Sequence, residues 1–462
     1  GIYMTLSQHV ANFITTTTFS QLPTQLIARA KLHLLDTLGV ALAGSTQSSS
    51  KQGRHGITLL PDSQGKIPIW GSMQTANTTA AALANGIAAH ALDFDDTHTD
   101  SITHGSAVLT PIAFALGETL NASNEEILTA WVIGWEVAAR VGLASHSGFH
   151  QRGFHATAIA GIFGATACAA SLLKLTSQQA VNALGLTASQ AAGIAEYLTN
   201  SSSAKCFHAG WAAQSGIIAA SLAKGGMTGP ETIFEGRYSI YHTHGISEQA
   251  IPEQVAQGLG EQWEFLNVSI KPYPVCHFAH ATVDCGRRLL KRGISAEEIE
   301  QVECVIDPVA AALICEPLET KWAPKTAYGA KFSLPWLFAI GFLDNALTLS
   351  SLSAENLQRN DIQLLAKKVS YRYPSENEIP FPSYFPGLIF VRLKNGQQLT
   401  ERIDIQYGNP ENPMVDTDVI AKFYDNAKCV MKKTQADQLI ENIMNFENIP
   451  ISLLTQLLRV EA

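Results

Sequence analysis

The chain has 462 residues, 46% of them apolar and only 15% charged, with a formal net charge of −9. That length exceeds what one core usually holds, so two domains are expected. The charge deficit excludes a disordered or fibrous protein, and the acidic balance argues against a nucleic-acid partner.

Residues 5 to about 265 read as helices. Pro23 opens one in which Leu26, Ala30, Leu34, Leu38 and Leu42 recur at four-residue spacing, and Gly44 ends it. Asn77–Ala91 continues as an Ala-rich helix running into Asp93–Asp96. Glu125–Leu143 follows, with Ser123 as its expected N-cap. Gly153–Lys174, Ser177–Leu198 and Ala209–Gly225 complete the series. The uncharged stretches 67–92 and 156–173 reach membrane-spanning length. Their Ala, Gly, Thr, Ser and Cys content reads as tightly packed buried helices instead, so no membrane is expected.

The pattern changes near residue 268. Gln301–Ile306 and Lys368–Tyr373 alternate like strands, and Leu388–Leu393 with Leu399–Ile405 flank the hairpin signal Asn395-Gly396. Tyr328–Phe342 and Ala354–Lys367 read as helices between them. The tail from Asp416 returns to helix. The expected fold is therefore mainly α with a smaller α+β domain: helical residues 1–267 and 406–462, and an inserted α+β lid over 268–405. Seven cysteines form no CxxC pair, and no signal-peptide pattern opens the sequence. Both suit a cytoplasmic protein.

Eleven of the 14 histidines lie between His90 and His280. The densest group is His90-Ala91-Leu92-Asp93-Phe94-Asp95-Asp96-Thr97-His98, followed by His104. Carboxylates are disfavoured at a helix C-terminus, so this run reads as functional rather than as a solvated helix end. A hard-cation reading competes, but no HxxxH or HxxE spacing in the segment fixes ligands on one face, and no metal is expected. His155 begins a long uncharged helix, where a neutral ring or an anion is favoured; its bland alternative is a half-buried core histidine. Lys205, in Ser201–Gly210, stands alone between a serine run and a Gly/Ala helix, and otherwise reads as a loop lysine. Lys271-Pro272-Tyr273-Pro274-Val275-Cys276-His277-Phe278-Ala279-His280 combines a stiffened backbone with one lysine and two imidazoles, and otherwise reads as a domain hinge. Walker A, GxGxxG, GxSxG and HExxH patterns are all missing. Histidines, aspartates and lysines without a cofactor motif suit proton chemistry on a polycarboxylate.

Together these clusters resemble the MmgE/PrpD family. Leu35–Val40 looks like its opening motif and His90–Thr97 like its most distinctive segment. Gly153–Thr157 with Gly161–Gly164, Lys271–His280 and Lys331–Pro335 resemble its later motifs. The resemblance implies a helical domain plus a smaller α+β lid, usually a homodimer, without a required metal or other cofactor. It implies a lyase that dehydrates or decarboxylates a small di- or tricarboxylate of the 2-methylcitrate or cis-aconitate type, with epimerisation of a dicarboxylate such as iminodisuccinate as the alternative. A noncatalytic carboxylate-binding homologue is the alternative of another class. Carried over by motif, the catalytic residues fall on Asp93, His104, His155, Lys205 and Lys271, and substrate contacts on Thr97, His277 and His280. The lysines would hold carboxylates; one of His104 and His155 would be the acid and the other the base; Asp93 would orient an imidazole or move a proton itself. Two departures stand out. Gly105 replaces the proline usual after the histidine at 104, and Trp336 stands where some members have a tyrosine. If Lys271 and the helical-domain residues contact one substrate, the site is expected between the domains, closed by the lid.

Overall fold

The computed structural model describes residues 3–200 and 202–461; Ser201 of the serine run lies outside them. The chain divides into two compact units, Gly1–Ile270 with Asp416–Ala462, and Lys271–Val415. The first division falls after Ile270 rather than after residue 267 because Val268–Ser269 pairs antiparallel with Thr97–His98 and so belongs with the helices.

The first unit is helical. Thr24–Gly44 starts directly after Pro23, and Asn124–Ser145 starts on a capping box in which Ser123 accepts from the Glu126 N–H. Asn124–Ser145 is long and apolar enough to cross a membrane, yet it is almost wholly buried within this unit. Small residues let the helices approach closely. A Cβ on Gly86 would lie 2.6 Å from Gly210 Cα, so helices Thr78–His90 and Ala204–Lys224 meet backbone to backbone. At a second crossing, a Cβ on Gly164 would lie 2.7 Å from the Gly134 carbonyl, which fixes Ala156–Leu172 against Asn124–Ser145.

Three helices of the first unit differ from the sequence expectation, each beside the site. The helix expected from Gly153 begins at Ala156, because Gly153 is left-handed (φ +92°) and Phe154 bridges to Ile194. The helix expected to reach Leu198 stops at Gln190; Gly193 (φ +130°) then turns the chain so that its carbonyl accepts the His155 N–H. The helix expected from Ala209 begins at Ala204, which puts Lys205 and His208 on its first turns rather than in a loop.

The second unit carries a four-stranded sheet in the order Val369–Arg372, Ile299–Val305, Gly387–Leu393, Gln398–Ile403. Its first pair is parallel and the others antiparallel, and Asn395-Gly396 makes the expected hairpin, with Gly396 at φ +89°. Helices His277–Lys291 and Leu334–Asp344 pack with the sheet in one core. The expected helix Tyr328–Phe342 is broken: Ala327–Ala330 is a single turn, and Leu334–Asp344 restarts with Pro335 in its first turn. Ala354–Lys367 likewise splits into Ala354–Leu357 and Asn360–Ala366.

The Gly86–Gly210 crossing leaves no room for a methyl group. Gly86→Ala is expected to destabilise the protein by about 1–3 kcal/mol through overpacking. An unchanged urea midpoint for that variant would show that the helices can part freely at this point.

Candidate active site

The close crossing at Gly86 sets His90, in the last turn of its helix, beside the first turns of Ala204–Lys224, which carry Lys205 and His208. Beyond His90 the chain turns sharply. Asp93 takes a left-handed backbone (φ 54°), rare for a residue with a side chain. Its half-exposed carboxylate pairs with Lys205 Nζ at 3.2 Å. A second carboxylate, Asp95, is fully buried, and its Oδ2 lies 2.9 Å from His90 Nδ1 and 3.4 Å from His104 Nδ1. The His104 Nδ1 also lies 3.1 Å from both Thr97 Oγ1 and the Asp96 carbonyl oxygen.

Asp96, equally buried, points the other way. Its Oδ2 sits 2.6 Å from His33 Nδ1 and 2.5 Å from Ser106 Oγ, and Trp135 Nε1 donates to the same Ser106 oxygen at 3.0 Å. Burial, with the charge of Asp95 adding, pushes the Asp96 carboxyl up to about 7 against the Ser106 hydrogen bond. Gly105 is explained here: a Cβ would lie 2.6 Å from the Trp135 ring. The usual proline cannot stand where that indole packs.

The remaining wall comes from His155, at the N-cap of Ala156–Leu172. Its ring stacks on His90 at 5.5 Å, and His90 lies 5.0 Å from the His104 ring. His155 Nδ1 is 3.0 Å from His208 Nδ1, and Tyr197 packs edge-on against both rings at 5.7 and 5.8 Å. The structure thus brings Asp93, Thr97, His104, His155 and Lys205 together within the first unit. Lys271, His277 and His280 belong to the second. There Lys271 is buried, and the His277 ring packs at 4.7 Å against His280. His280 is wholly buried and donates Nε2–H to the Val275 carbonyl at 2.9 Å, a core position that supports His277. Trp336 is also a core residue of that unit, its indole N–H without a hydrogen-bond partner among the described residues.

The two site imidazoles are pushed in opposite directions. Burial opposes a cationic His104, but the charge and hydrogen bond of Asp95, helped by Asp93, outweigh it and raise the His104 pKa. Burial lowers that of His155 well below the ordinary histidine range, and the nearby Lys205 and His104 lower it further. For Asp95 itself, burial is overcome by His90 and His104, and the carboxyl stays ionised far below the usual range. Lys205 remains a cation: burial is outweighed by Asp93, with Tyr197 adding. The arrangement provides a charged proton donor, a neutral imidazole and an ammonium in one place.

His90, Asp95 and His104 offer one donor atom each within 4.8 Å of one another, the grouping among the described residues nearest to a metal-ligand set. Asp95 Oδ2 is already shared by both imidazoles, so these groups are matched as a hydrogen-bonded acid–base network. His208 and Tyr197 carry no assigned role in the sequence reading, and His90 and Asp95 lie within its functional run without a role of their own. His208 stands three residues after Lys205 on one helix face, a spacing hidden while that helix is expected to begin at Ala209. For Asp95 there is no such signal, because a run of carboxylates does not say which one turns inward.

Comparison with known proteins agrees with this architecture. The MmgE/PrpD N-terminal domain matches residues 8–251, and the MmgE/PrpD C-terminal domain matches residues 273–448. The cis-aconitate decarboxylases of Homo sapiens and Mus musculus are each 27% identical over 446 residues, which cover 94% of this chain and 90% and 89% of theirs. The cis-aconitate decarboxylase of Aspergillus terreus (strain NIH 2624 / FGSC A1156) is 23% identical over 448 residues, covering 93% of this chain and 90% of its own. With the two domains matched in order along most of its length, the chain belongs to the MmgE/PrpD family.

Proposed function

We propose that this protein decarboxylates cis-aconitate or a closely similar tricarboxylate. The protein is a lyase of its family acting on a small carboxylate. The observation that carries the finer reading is the buried Asp95, which keeps His104 charged beside Lys205 and a neutral His155. Loss of carbon dioxide from the methylene carboxylate of cis-aconitate leaves its electron pair on an allylic frame conjugated with the remaining carboxylates. The developing charge needs fixed cations, and the far carbon needs one proton; no base is required. Lys205 and Lys271 hold carboxylates as point charges. His104 delivers the proton from Nε2, since Nδ1 is committed to Asp95, Thr97 and the Asp96 carbonyl. Thr97 fixes that ring, and His277 and His280 contribute to substrate binding. Full-length relatives named as decarboxylases favour this elimination over epimerisation.

The direct test is NMR-monitored turnover of cis-aconitate, 2-methylcitrate, citrate and iminodisuccinate. Cis-aconitate should be consumed fastest, with one deuterium entering the product in D2O. Dehydration of 2-methylcitrate at the higher rate would replace this reading, and no turnover of any member would leave a carboxylate-binding homologue.

The acid role of His104 sets the pH dependence. Its pKa is raised above the ordinary histidine value, so kcat is full at low pH and falls as pH rises through the raised value. Asp95→Asn removes the stabilising charge and should move this alkaline limb downward by about one unit or more. A limb that stays in place means another group delivers the proton.

Two further outcomes follow from the same reading. Lys271→Ala should lower kcat/KM by roughly 10²-fold, about 2.7 kcal/mol; unaltered kinetics would remove Lys271 from the site. Activity should survive exhaustive chelation, and loss that stoichiometric zinc or iron restores would make the enzyme metal-dependent. A homodimer completes the proposal, because so few charges leave apolar surface to cover; light scattering at micromolar concentration checks it.

A further inference from the structure

The Nδ1 atoms of His155 and His208 lie 3.0 Å apart, and both residues are buried. Two lone pairs at that distance repel, while one N–H facing one lone pair attracts. Neither ring is a cation at neutral pH: burial lowers His155 well below its ordinary range and His208 to about 4, and the positive charge of Lys205 lowers both further. The pair therefore shares a single Nδ1 proton. Whichever ring owns it decides what His155 presents at Nε2, which makes no hydrogen bond to the described protein. If His155 owns it, Nε2 is a lone pair and a base. If His208 owns it, Nε2 carries a hydrogen and is a donor.

We infer that His208 donates its Nδ1–H to His155, so that His155 faces the substrate as a neutral Nε2–H donor and His208 is the positioning residue that keeps it so. The inference rests on the carboxylate-decarboxylase reading above. A tricarboxylate brings lone pairs and negative charge; an opposing nitrogen lone pair would repel it, and an N–H attracts it, with no heavy atom displaced. Decarboxylation asks for contacts to carboxylates and one proton, which His104 supplies, so a second base has no task. The N-terminus of Ala156–Leu172 adds its own preference for an anion at this place. A neutral donor also holds a carboxylate without the strong charge that would stabilise the ground state as much as the transition state.

The tautomers can be read directly in the full-length enzyme labelled with 15N-histidine. At neutral pH, His155 should show a protonated Nε2 and an unprotonated Nδ1, and His208 the reverse; the opposite assignment overturns the inference. This readout does not depend on turnover. An enzyme with these tautomers that ignores cis-aconitate would lose the decarboxylase reading and keep the pair, whereas a cis-aconitate decarboxylase with Nδ1–H on His155 would do the converse. Kinetics give a second arm. Asparagine and aspartate are near-isosteric, so packing alone would treat them alike. His208→Asn, whose amide can still donate, should keep kcat within about tenfold. His208→Asp can only accept, draws the proton onto His155 Nδ1, and should lower kcat/KM by roughly 10²-fold relative to His208→Asn. Equal activity of the two variants overturns the positioning role.

Discussion

The site depends on one buried carboxylate. Asp95 is wholly removed from solvent, where an isolated ionised carboxyl would be expelled or neutralised. It stays ionised because His90 and His104 reach the same oxygen. That requirement runs both ways. Asp95 shifts His104 toward its charged form, and His155, whose hydrogen bond among the described residues goes to His208, is shifted toward the neutral form in the same surroundings. One carboxylate thus separates two histidines into an acid and a neutral group.

Holding Asp95 in place takes a scaffold drawn from distant parts of the chain. Lys422, in the helix Asp416–Ala427, pairs with buried Asp36 at 2.7 Å, donates to the Phe94 carbonyl at 2.9 Å and lies 3.8 Å above the Phe94 ring. The residue between Asp93 and Asp95 is thereby gripped through its backbone and its face at once. On the other side, Asp96 is tied to His33 and Ser106, and Ser106 to Trp135. The left-handed backbone at Asp93 is affordable only because its neighbours on the C-terminal side are fixed in this way. The C-terminal return of the chain to the first unit is therefore part of the site's support as well as its packing.

Much of this was legible in the sequence, and the limits have physical reasons. The Ala/Gly-rich helices announced close packing, and the Asn395-Gly396 hairpin and the strands around it are where alternation placed them. The histidine concentration marked the right region. What periodicity cannot report is the direction of side chains in a tight turn. Asp93, Asp95 and Asp96 are equivalent in composition, yet one meets a lysine, one a pair of imidazoles and one a histidine with a serine. Helix ends near the site were misplaced for a related reason: Gly153 and Gly193 take left-handed conformations that serve the contact between His155 and the Gly193 carbonyl, not local propensity. Gly105 looked like a loss relative to the family pattern and is instead the space taken by Trp135.

The charges of the first unit also bear on how the proposed substrate, a trianion, would be held. Asp93 and Asp95 carry two negative charges, and Lys205 and protonated His104 carry two positive ones, so these four groups cancel. Such a balanced set is stable without substrate, which a bare cluster of buried cations would not be. It offers a polycarboxylate no net attraction, however. Binding must either draw Lys205 away from Asp93 or bring in a cation from elsewhere. Asp93 is half-exposed and sits on a backbone conformation that costs energy, so its hold on Lys205 is the weaker of the two carboxylate contacts. Asp95, fully buried between two rings, cannot leave without stranding a charge. In the proposed reaction the proton donor is therefore fixed and the binding lysine exchangeable. Proton delivery needs a fixed position, and carboxylate binding needs only that a cation be released when the substrate arrives.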